Sequence, residues 1–189
     1  MSGFLSALGP FCSKGVKMKM NPWWVTGLVD GEGCFQAYVT LRSRTGLDGR
    51  PYTKCEALTK LTVGLRADGT DVLYGIKDFF GCGSVYDKRP SAVQVLRGHT
   101  NPMSVFMVYS LTDLIKRVVP HFNIYPLQSK KRRDFELWVS ILLFIQANLS
   151  GTKGWARRFP EKVTHLQNMC TELSLVERSR RRLTNGQVW

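Results

Sequence analysis

The stretch Trp24-Val-Thr-Gly-Leu-Val-Asp-Gly-Glu-Gly-Cys-Phe35 decides the fold, because its two parts carry the signals of a helix and of a strand. Asn21, just before it, is a residue type that caps helix N-termini, and Pro22 fits a first helical turn. Gly33 is the residue type that most often ends a helix, in the left-handed conformation. The sequence therefore predicts one short helix over about residues 22–32, followed at once by a strand.

Two features of this predicted helix bear on function. Gly27 and Gly31 lie four residues apart and therefore on one face, where neither has a side chain to hold another backbone away. Glu32 falls in the last turn, at the negative end of the helix dipole, where a carboxylate is disfavoured by about 0.3–1 kcal/mol. A divalent cation is the simplest way to offset this, because it binds carboxylates together with phosphate oxygens and waters.

These residues resemble the motif of the LAGLIDADG homing endonucleases, with Gly27, Asp30 and Gly33 in register. The resemblance implies a metal-dependent DNA endonuclease in which Glu32 takes the acidic, metal-binding position, with Gly31 beside it. Mg²⁺ is the expected ion, with Mn²⁺ or Ca²⁺ as other occupants of the same site. For the motif alone, the alternative is a buried glycine-containing helix that happens to end in a glutamate.

The composition describes a globular and strongly basic chain. It has 189 residues, of which 43% are hydrophobic, and a formal net charge of +13 with a pI near 9.9. This charge predicts a polyanionic partner, either nucleic acid or an acidic membrane surface. The five cysteines are scattered without a Cys-x-x-Cys pair, which argues against a disulfide framework or a zinc site and favours a reducing interior. The longest apolar run is far too short to cross a bilayer.

One domain is expected over residues 21–175. Residues 1–20 carry three lysines and no acid, which is weakly typical of a transit peptide, but their lack of arginine favours a flexible extension. Residues 176–189 are expected to form a basic tail that either touches DNA or is frayed.

Two neighbouring segments, residues 33–44 and 52–66, alternate apolar and polar side chains as half-buried strands do. A turn-rich loop, residues 45–51, joins them into a hairpin with one basic face, and a shorter strand around Val85 extends that face. Its residue types can bind base edges or phosphates, although a solvated outer face is the alternative. The DNA-binding residues predicted here are Gln36, Tyr38, Thr40, Arg42, Arg44, Lys54, Glu56, Lys60, Thr62, Ser84, Tyr86 and Lys88.

The remaining segments complete an α+β pattern. Apolar residues at helical spacing predict helices over about 72–80, ended by Gly81, over 111–119, stopped by Pro120, and over 160–174. Further strand character is found at Val93, Val95 and Met103–Ser110. The order αββαββα predicts an antiparallel sheet with helices on one face. The other face would be the DNA-binding saddle of a homing-endonuclease-like domain.

A second stretch, His121-Phe-Asn-Ile-Tyr-Pro-Leu-Gln-Ser-Lys-Lys-Arg-Arg-Asp-Phe135, also resembles the family, which commonly has an HFxxYPLxxxKxxDF pattern at this distance from the motif. Lys131 takes the lysine position of that pattern, and Lys130 precedes it. Phe79–Gly83 is similar to the family's FFGxG turn, so the resemblance spans about residues 21–145. It implies that Lys131 or Lys130 stabilises charge on the phosphate or polarises the water network.

A long helix is expected over about residues 129–149, with Phe135, Trp138, Leu142 and Ile145 along one stripe. Its first turn carries four cations, although a helix N-terminus prefers anions. The four are Lys130, Lys131, Arg132 and Arg133. A phosphate partner explains this run best, and a solvated charge run is the alternative.

One motif supplies one carboxylate, whereas two-metal cleavage of a phosphodiester needs acidic ligands at both the attacking and the leaving oxygen. Since the chain has no second motif, a symmetric homodimer is predicted, packed through the glycine face so that the two Glu32 side chains meet. Its predicted interface contains Thr26, Gly27, Asp30 and Gly31, with Asp30 as a capping or pairing residue rather than a metal ligand. The dimer would hydrolyse one phosphodiester per strand of a long pseudo-palindromic DNA site.

One position departs from the family, which often has glutamine near the end of the second strand to position water. This chain has Leu65 and then Arg66, so Arg66 is the candidate substitute.

Two other functions compete with an endonuclease. An RNA-binding intron maturase has the same fold, but only Tyr38 and Tyr86 offer aromatic stacking on the sheet. A non-catalytic DNA-binding regulator would lose affinity through Glu32. No membrane partner is expected, because the apolar faces of the predicted helices are needed for the core. No small-molecule substrate is expected either. The family implies an organelle (mitochondrion or chloroplast) or a prokaryotic cytoplasm, and no secretion.

Overall fold

In the computed structural model, which describes residues 19–90, 96, 101–149 and 158–185, helix α1 (Pro22–Glu32) passes directly into strand β1 (Gly33–Thr45). The Asn21 side chain accepts a hydrogen bond from the Trp23 N–H, which confirms the predicted N-cap. The left-handed end predicted at Gly33 is wrong, because this residue is extended, at φ −74° and ψ 153°. A Cβ at Gly33 would lie 2.6 Å from the Val29 side chain and carbonyl, so close packing is what requires glycine here.

Strands β1, β2 (Pro51–Arg66), β3 (Ser84–Lys88) and β4 (Met103–Val108) form one antiparallel sheet in the order β1-β2-β4-β3. Cross-strand partners lie on the same side of a sheet, and Gln36 pairs with Lys60 while Thr62 pairs with Met107. Met107 also pairs with Ser84, so Ser84 of β3 lies on this same side of the sheet. The predicted sheet and its predicted polar face, called here the open face, are therefore confirmed.

The helices lie on the other side of the sheet. Helix α2 (Thr70–Phe80) ends at Gly81 with φ 62°, the left-handed conformation that glycine adopts most readily, as predicted. Helix α4 (Lys131–Asn148) lies against β1 and buries Phe135, Trp138 and Leu142. Phe35 of β1 contacts the rings of Phe122, Phe135 and Trp138, at centroid distances of 5.0–5.9 Å. This aromatic cluster fixes α4 across the first strand.

The helical segment α3 contradicts the predicted stop at Pro120. It consists of Leu111–Asp113, a wider π-helical turn over Leu114–Val118, and Val119–Ile124. The π-turn closes with a hydrogen bond from the Val119 N–H to the Leu114 carbonyl. Pro120 therefore stands in the first turn of a new helical piece, where its missing N–H is not needed.

Helix α5 (Pro160–Asn185) packs against α4 and β1 through buried residues that include Leu166, Cys170 and Leu173. The predicted end near Ser174 is wrong, since the helical backbone continues through Asn185; side chains are described as far as residue 176. The predicted strands at Val93 and Val95 and almost all of the N-terminal extension lie outside the described residues. Within the described parts of the chain, none of the helices has the length and apolar character needed to span a membrane.

Candidate active site and nucleic-acid interface

The functional residues of α1 divide between its two faces. Val25 and Val29 are buried against the core, whereas Trp24, Gly27 and Gly31 are exposed along the opposite side. A Cβ added at Gly27 or at Gly31 would meet no atom within 4 Å. The described fold of the single chain therefore leaves the glycine face uncovered. A surface that contacts another chain has to be uncovered in this way.

Glu32 is exposed at the junction of α1 and β1. Its neighbour Gly33 pairs with Val63, so Glu32 stands at the end of the sheet where β2 finishes with Gly64, Leu65 and Arg66. The junction thus places one carboxylate at the edge of the open face and at the end of the glycine face.

Thr26 is 2% exposed, which contradicts its predicted place in a dimer interface. Its hydroxyl donates a hydrogen bond to the Tyr125 carbonyl, at 3.0 Å, and lies 3.1 Å from Nε2 of His121. Because the hydroxyl proton is given to Tyr125, Nε2 of a neutral His121 carries its own proton and donates to Thr26. Burial lowers the pKa of His121 to about 4. These contacts tie α1 to α3 inside one chain.

Asp30 holds the backbone just before α4. Its Oδ2 accepts hydrogen bonds from the N–H groups of Gln128 and Ser129, at 3.0 and 2.9 Å, and its Oδ1 accepts from the Ser129 hydroxyl at 2.5 Å. Both carboxylate oxygens are thereby engaged with donors that a metal ion would have to displace. These contacts give Asp30 a structural role within its own chain, whereas its predicted role at a dimer seam stays a prediction.

Lys131 makes the reverse connection. It is 8% exposed, and its ammonium donates to the carbonyls of Val29 and Gly31, both at 3.1 Å. These are carbonyls at the C-terminal end of α1, where a cation is favoured. The Lys131 ammonium is thus engaged inside the chain, and its predicted role at phosphate or in the water network stays a prediction. Together, Asp30 and Lys131 with their partners form what we call the α1–α4 clasp.

The other cations of this basic run differ from Lys131. Arg132 forms an ion pair with Glu136 of the next turn, at 3.0 Å, and Arg133 lies 3.8 Å from Glu172 of α5. Lys130 is exposed as well, and the phosphate role predicted for the run stays a prediction.

The open face carries the predicted DNA-binding residues of β1, β2 and β3 on one side of the sheet. The Tyr38 hydroxyl donates to Oε1 of Gln36, at 2.7 Å, and the Lys60 ammonium lies 5.6 Å from the centre of the Tyr38 ring. Residues 51–60 of β2, which precede Leu61, pair with β1 and have no β4 partner, so this outer part of the hairpin is a two-stranded ribbon.

Glu56 is the acid of this ribbon, and three cations surround it. Its Oε2 lies 3.3 Å from Nε of Arg42, and its Oε1 lies 3.4 Å from Arg44 and 3.1 Å from Lys54. The hydrogen bond from Lys54, together with the charges of Lys54 and Arg42, lowers the pKa of the Glu56 carboxyl. The four groups form one connected array of ion pairs on the outer part of the face.

Comparison with known proteins bears on this arrangement. Residues 25–142 match the sequence model described as LAGLIDADG endonuclease, and this match covers well over half of the chain. The chain belongs to the LAGLIDADG endonuclease family.

Two relatives are fungal. The chain is 31% identical over 127 residues to an "Uncharacterized 50.9 kDa protein in ND4 intron 1" of Podospora anserina, covering 67% of this chain and 25% of the relative. It is 28% identical over 122 residues to a "Probable intron-encoded endonuclease 3" of Neurospora crassa, covering 64% of this chain and 20% of the relative. The chain thus spans a quarter or less of the length of the curated relatives it matches.

Solved structures share the fold. The homing endonuclease I-TnaI superposes with a TM-score of 0.63 at 25% identity, over 87% of this chain and 99% of that chain. The meganuclease I-SmaMI, bound to uncleaveable DNA, superposes with a TM-score of 0.59 at 18% identity, over 80% of this chain and 44% of that chain. A four-stranded antiparallel sheet backed by helices is therefore the family fold in this chain.

In this LAGLIDADG chain, the end of β2 has Leu65 and Arg66 where the family often has glutamine, and the two side chains lie on opposite sides of the sheet. Arg66 pairs with Met103 and lies in the row of Lys60, Thr62 and Gly64, so it belongs to the open face. Its guanidinium lies 3.8 Å from Asp68, and both side chains are mostly exposed. Leu65 points to the opposite side and packs against the core cluster. Arg66, and not Leu65, thus lies on the open face, at the end of β2 that follows the partner of Gly33.

A metal site at Glu32 would be a half-site. The donors that one chain offers are the exposed carboxylate and the Gly31 carbonyl, which has a second lone pair beside the Lys131 contact. Among the described residues, no three His, Cys, Asp or Glu side chains lie close enough to hold a metal ion together. This donor set fits Mg²⁺, which commonly uses one or two carboxylates and takes its other ligands from phosphates and waters.

Several contacts of the site escaped sequence reasoning. Gln128 and Ser129 as partners of Asp30, and His121 as the partner of Thr26, are about a hundred residues away from them in the chain. The HFxxYPL resemblance marked that segment, but nothing in the pattern says which side chains turn inward.

Proposed function

We propose that this protein is a site-specific endonuclease that cuts double-stranded DNA as a homodimer, with a divalent metal ion. The observation that carries the proposal is the position of Glu32. This exposed carboxylate ends a helix whose glycine face is open, and it borders a sheet face lined with basic residues. A carboxylate so placed would stand where DNA on the open face meets a second copy of the chain.

The homodimer is supported by what one chain lacks. One chain presents one motif and one such carboxylate, while cleavage of both strands requires two sets of acidic ligands. The chain also covers 44% of I-SmaMI, a DNA-bound meganuclease, as expected if it supplies one of two similar halves. Packing of Gly27 and Gly31 against their symmetry copies would bring the two α1 helices together and place both Glu32 residues at the centre. Trp24, 48% exposed beside these glycines, would be buried by the same contact.

Each residue of the site would have a distinct role. Glu32 and the Gly31 carbonyl would hold Mg²⁺, or Mn²⁺ or Ca²⁺ in its place, and the ion would supply Lewis-acid stabilisation and a water of lowered pKa. Lys131 would act as a positioning residue, because it fixes the end of α1 from which Glu32 projects. Lys130 and Arg66, both exposed, would face phosphate or order the attacking water. Asp30 would stabilise the same helix end through Ser129.

The open face would contact DNA through its predicted residues. The duplex would lie along two sheets related by the dimer axis, which makes the target pseudo-palindromic. Basic residues at the exposed positions Arg42, Arg44, Lys54 and Lys88 suit phosphates and guanine edges.

An RNA maturase fits the face less well. Base stacking needs free aromatic rings, and the ring of Tyr38 lies under the Lys60 ammonium while its hydroxyl is bonded to Gln36. Tyr86 is left as the exposed aromatic of β3. The names of both fungal relatives refer to introns, which is compatible with an organellar or prokaryotic intron origin for this chain.

The proposal is tested by cleavage of a plasmid that carries the uninterrupted sequence of the gene's own insertion site. The wild-type protein should linearise the plasmid with Mg²⁺ and leave it intact with EDTA. Glu32→Gln should bind the same DNA and cut at least about a hundred times more slowly, because the metal loses a charged ligand. Asp78→Asn removes one exposed acid from α2, on the covered side of the sheet, and should cut normally. Cleavage by Glu32→Gln at the wild-type rate would refute the assignment.

A further inference from the structure

The outer ribbon of the open face contains one feature that phosphate binding does not explain. Among the residues that the structure describes on this face, Glu56 is the single acid, and it stands within a row of cations. A carboxylate weakens attraction to phosphates, so a surface selected for non-specific affinity would have a neutral residue here.

A purely structural role does little to explain why Glu56 stands among these cations. Arg42 and Lys54 are directly opposite each other across β1 and β2, so Glu56 does relieve some repulsion between like charges. Exposed ion pairs of this kind contribute little to stability. The side chains of the three cations are also about half exposed or more, at 61% for Arg42, 49% for Arg44 and 55% for Lys54. The array is therefore ordered by Glu56 and still accessible to a partner.

The chemistry of the array matches one kind of base pair. A two-stranded ribbon fits the major groove, where the N4 amino group of cytosine is a donor and the O6 and N7 atoms of guanine are acceptors. A carboxylate accepts from cytosine and a guanidinium donates to guanine. Arg42 and Glu56 lie next to each other with Nε and Oε2 at 3.3 Å, so a C·G pair could receive one contact from each.

We propose that Glu56 is a specificity-determining residue that, with Arg42, reads one C·G base pair in the major groove of the target. This inference rests on the proposed function, because it takes double-stranded DNA as the partner of the open face. Glu56 lowers the non-specific affinity for DNA and increases discrimination at that base pair and, in a homodimer, at its symmetry mate.

The test is selection of bound duplexes from a random DNA library, followed by sequencing, for the wild type, Glu56→Gln and Asp48→Asn. Asp48 is the matched control: it lies in the turn of the same hairpin, and its Oδ1 accepts a hydrogen bond from the Arg50 N–H, which asparagine retains. Each variant removes one negative charge, so both should bind a scrambled duplex somewhat more tightly. Since both side chains are at the surface of the hairpin, both variants should fold, which circular dichroism verifies.

The expected result is specific to one position. Glu56→Gln should lose most of a roughly tenfold preference for C·G at one base pair and its symmetry mate, and keep the other preferences. Asp48→Asn should keep them all. A Glu56→Gln profile identical to the wild type, or weakened evenly at every position, would overturn the inference and leave the proposed function standing. A wild-type protein that enriches no sequence would overturn both this inference and the proposed function. The two failures are distinguishable, because failure of the inference alone leaves the wild-type sequence preferences in place.

Discussion

The α1–α4 clasp and the outer ribbon of the open face both concentrate charge, yet they use it in opposite ways. In the clasp, the Lys131 ammonium is buried and bonded to two carbonyls, and both oxygens of Asp30 accept hydrogen bonds from the residues just before α4. In the ribbon, Arg42, Arg44 and Lys54 share one carboxylate and are largely exposed. The difference shows that a basic residue in this chain can serve the fold or a partner, and that burial decides which.

The largest effect on stability is expected at Lys131. Substitution Lys131→Met removes the charged donor from the Val29 and Gly31 carbonyls, and hydrogen bonds to charged groups contribute about 1.5–3 kcal/mol. The free energy of unfolding, measured by urea denaturation, should fall by about 3 kcal/mol. Lys130→Met, at the exposed neighbour, should change it by less than about 0.5 kcal/mol. Equal stability of the two variants would mean that the clasp does not hold α1.

A second prediction concerns acid, through the buried His121 that joins α1 to α3. Its pKa is about 4 in the folded chain, compared with an ordinary value of 6.5. Between these values the unfolded chain binds a proton that the folded chain does not, so stability is fully present above pH 6.5 and decreases as the pH falls towards 4. The expected loss is about 3 kcal/mol, since each pKa unit corresponds to about 1.4 kcal/mol.

The measurement is the difference in unfolding free energy between the wild type and His121→Gln over that pH window. The variant should lack this part of the pH dependence, whereas His165→Gln, at an exposed histidine, should keep it. The same slope in all three proteins would exclude His121 as its source.

The smallest effect is expected on the open face, where charge should alter binding without altering the fold. Lys60→Gln should weaken DNA binding by about 1 kcal/mol and lower the slope of log K against log salt concentration by about 0.9 if Lys60 neutralises one phosphate. Its unfolding free energy should stay within about 0.5 kcal/mol of the wild type. Lys77→Gln, on helix α2 behind the sheet, should leave the salt slope unchanged. A loss of stability without a change in slope would place Lys60 with the fold.

Local periodicity made most of the architecture predictable. The bounds of α1, the alternation in β1 and β2 and the end of α2 at Gly81 all depend on neighbours within a few residues, and all are confirmed. The conformation of Gly33 was not predictable in the same way, because it depends on how tightly the start of β1 packs against Val29. The π-turn before Pro120 likewise escapes any rule that treats proline alone.

The candidate site was predictable in its types of residue and less so in their roles. Composition and spacing indicated which side chains bear chemistry, and the strand pairing confirmed that the polar rows share one face. The inward turn of Lys131 and the burial of Thr26 depend on partners 95–102 residues away, which no window of sequence contains. A run of four basic residues therefore looked uniform although one of them belongs to the interior.

The central claim is that Glu32 works with its copy from a second chain, and mixing subunits tests it most directly. Wild type and Glu32→Gln are co-refolded in equal amounts, and double-strand cleavage of the target plasmid is measured at constant total protein. If both chains of a dimer must supply Glu32, about one quarter of the wild-type activity should remain, since random pairing leaves that fraction of wild-type dimers. About one half would remain if each chain cut alone, and that result would contradict the account.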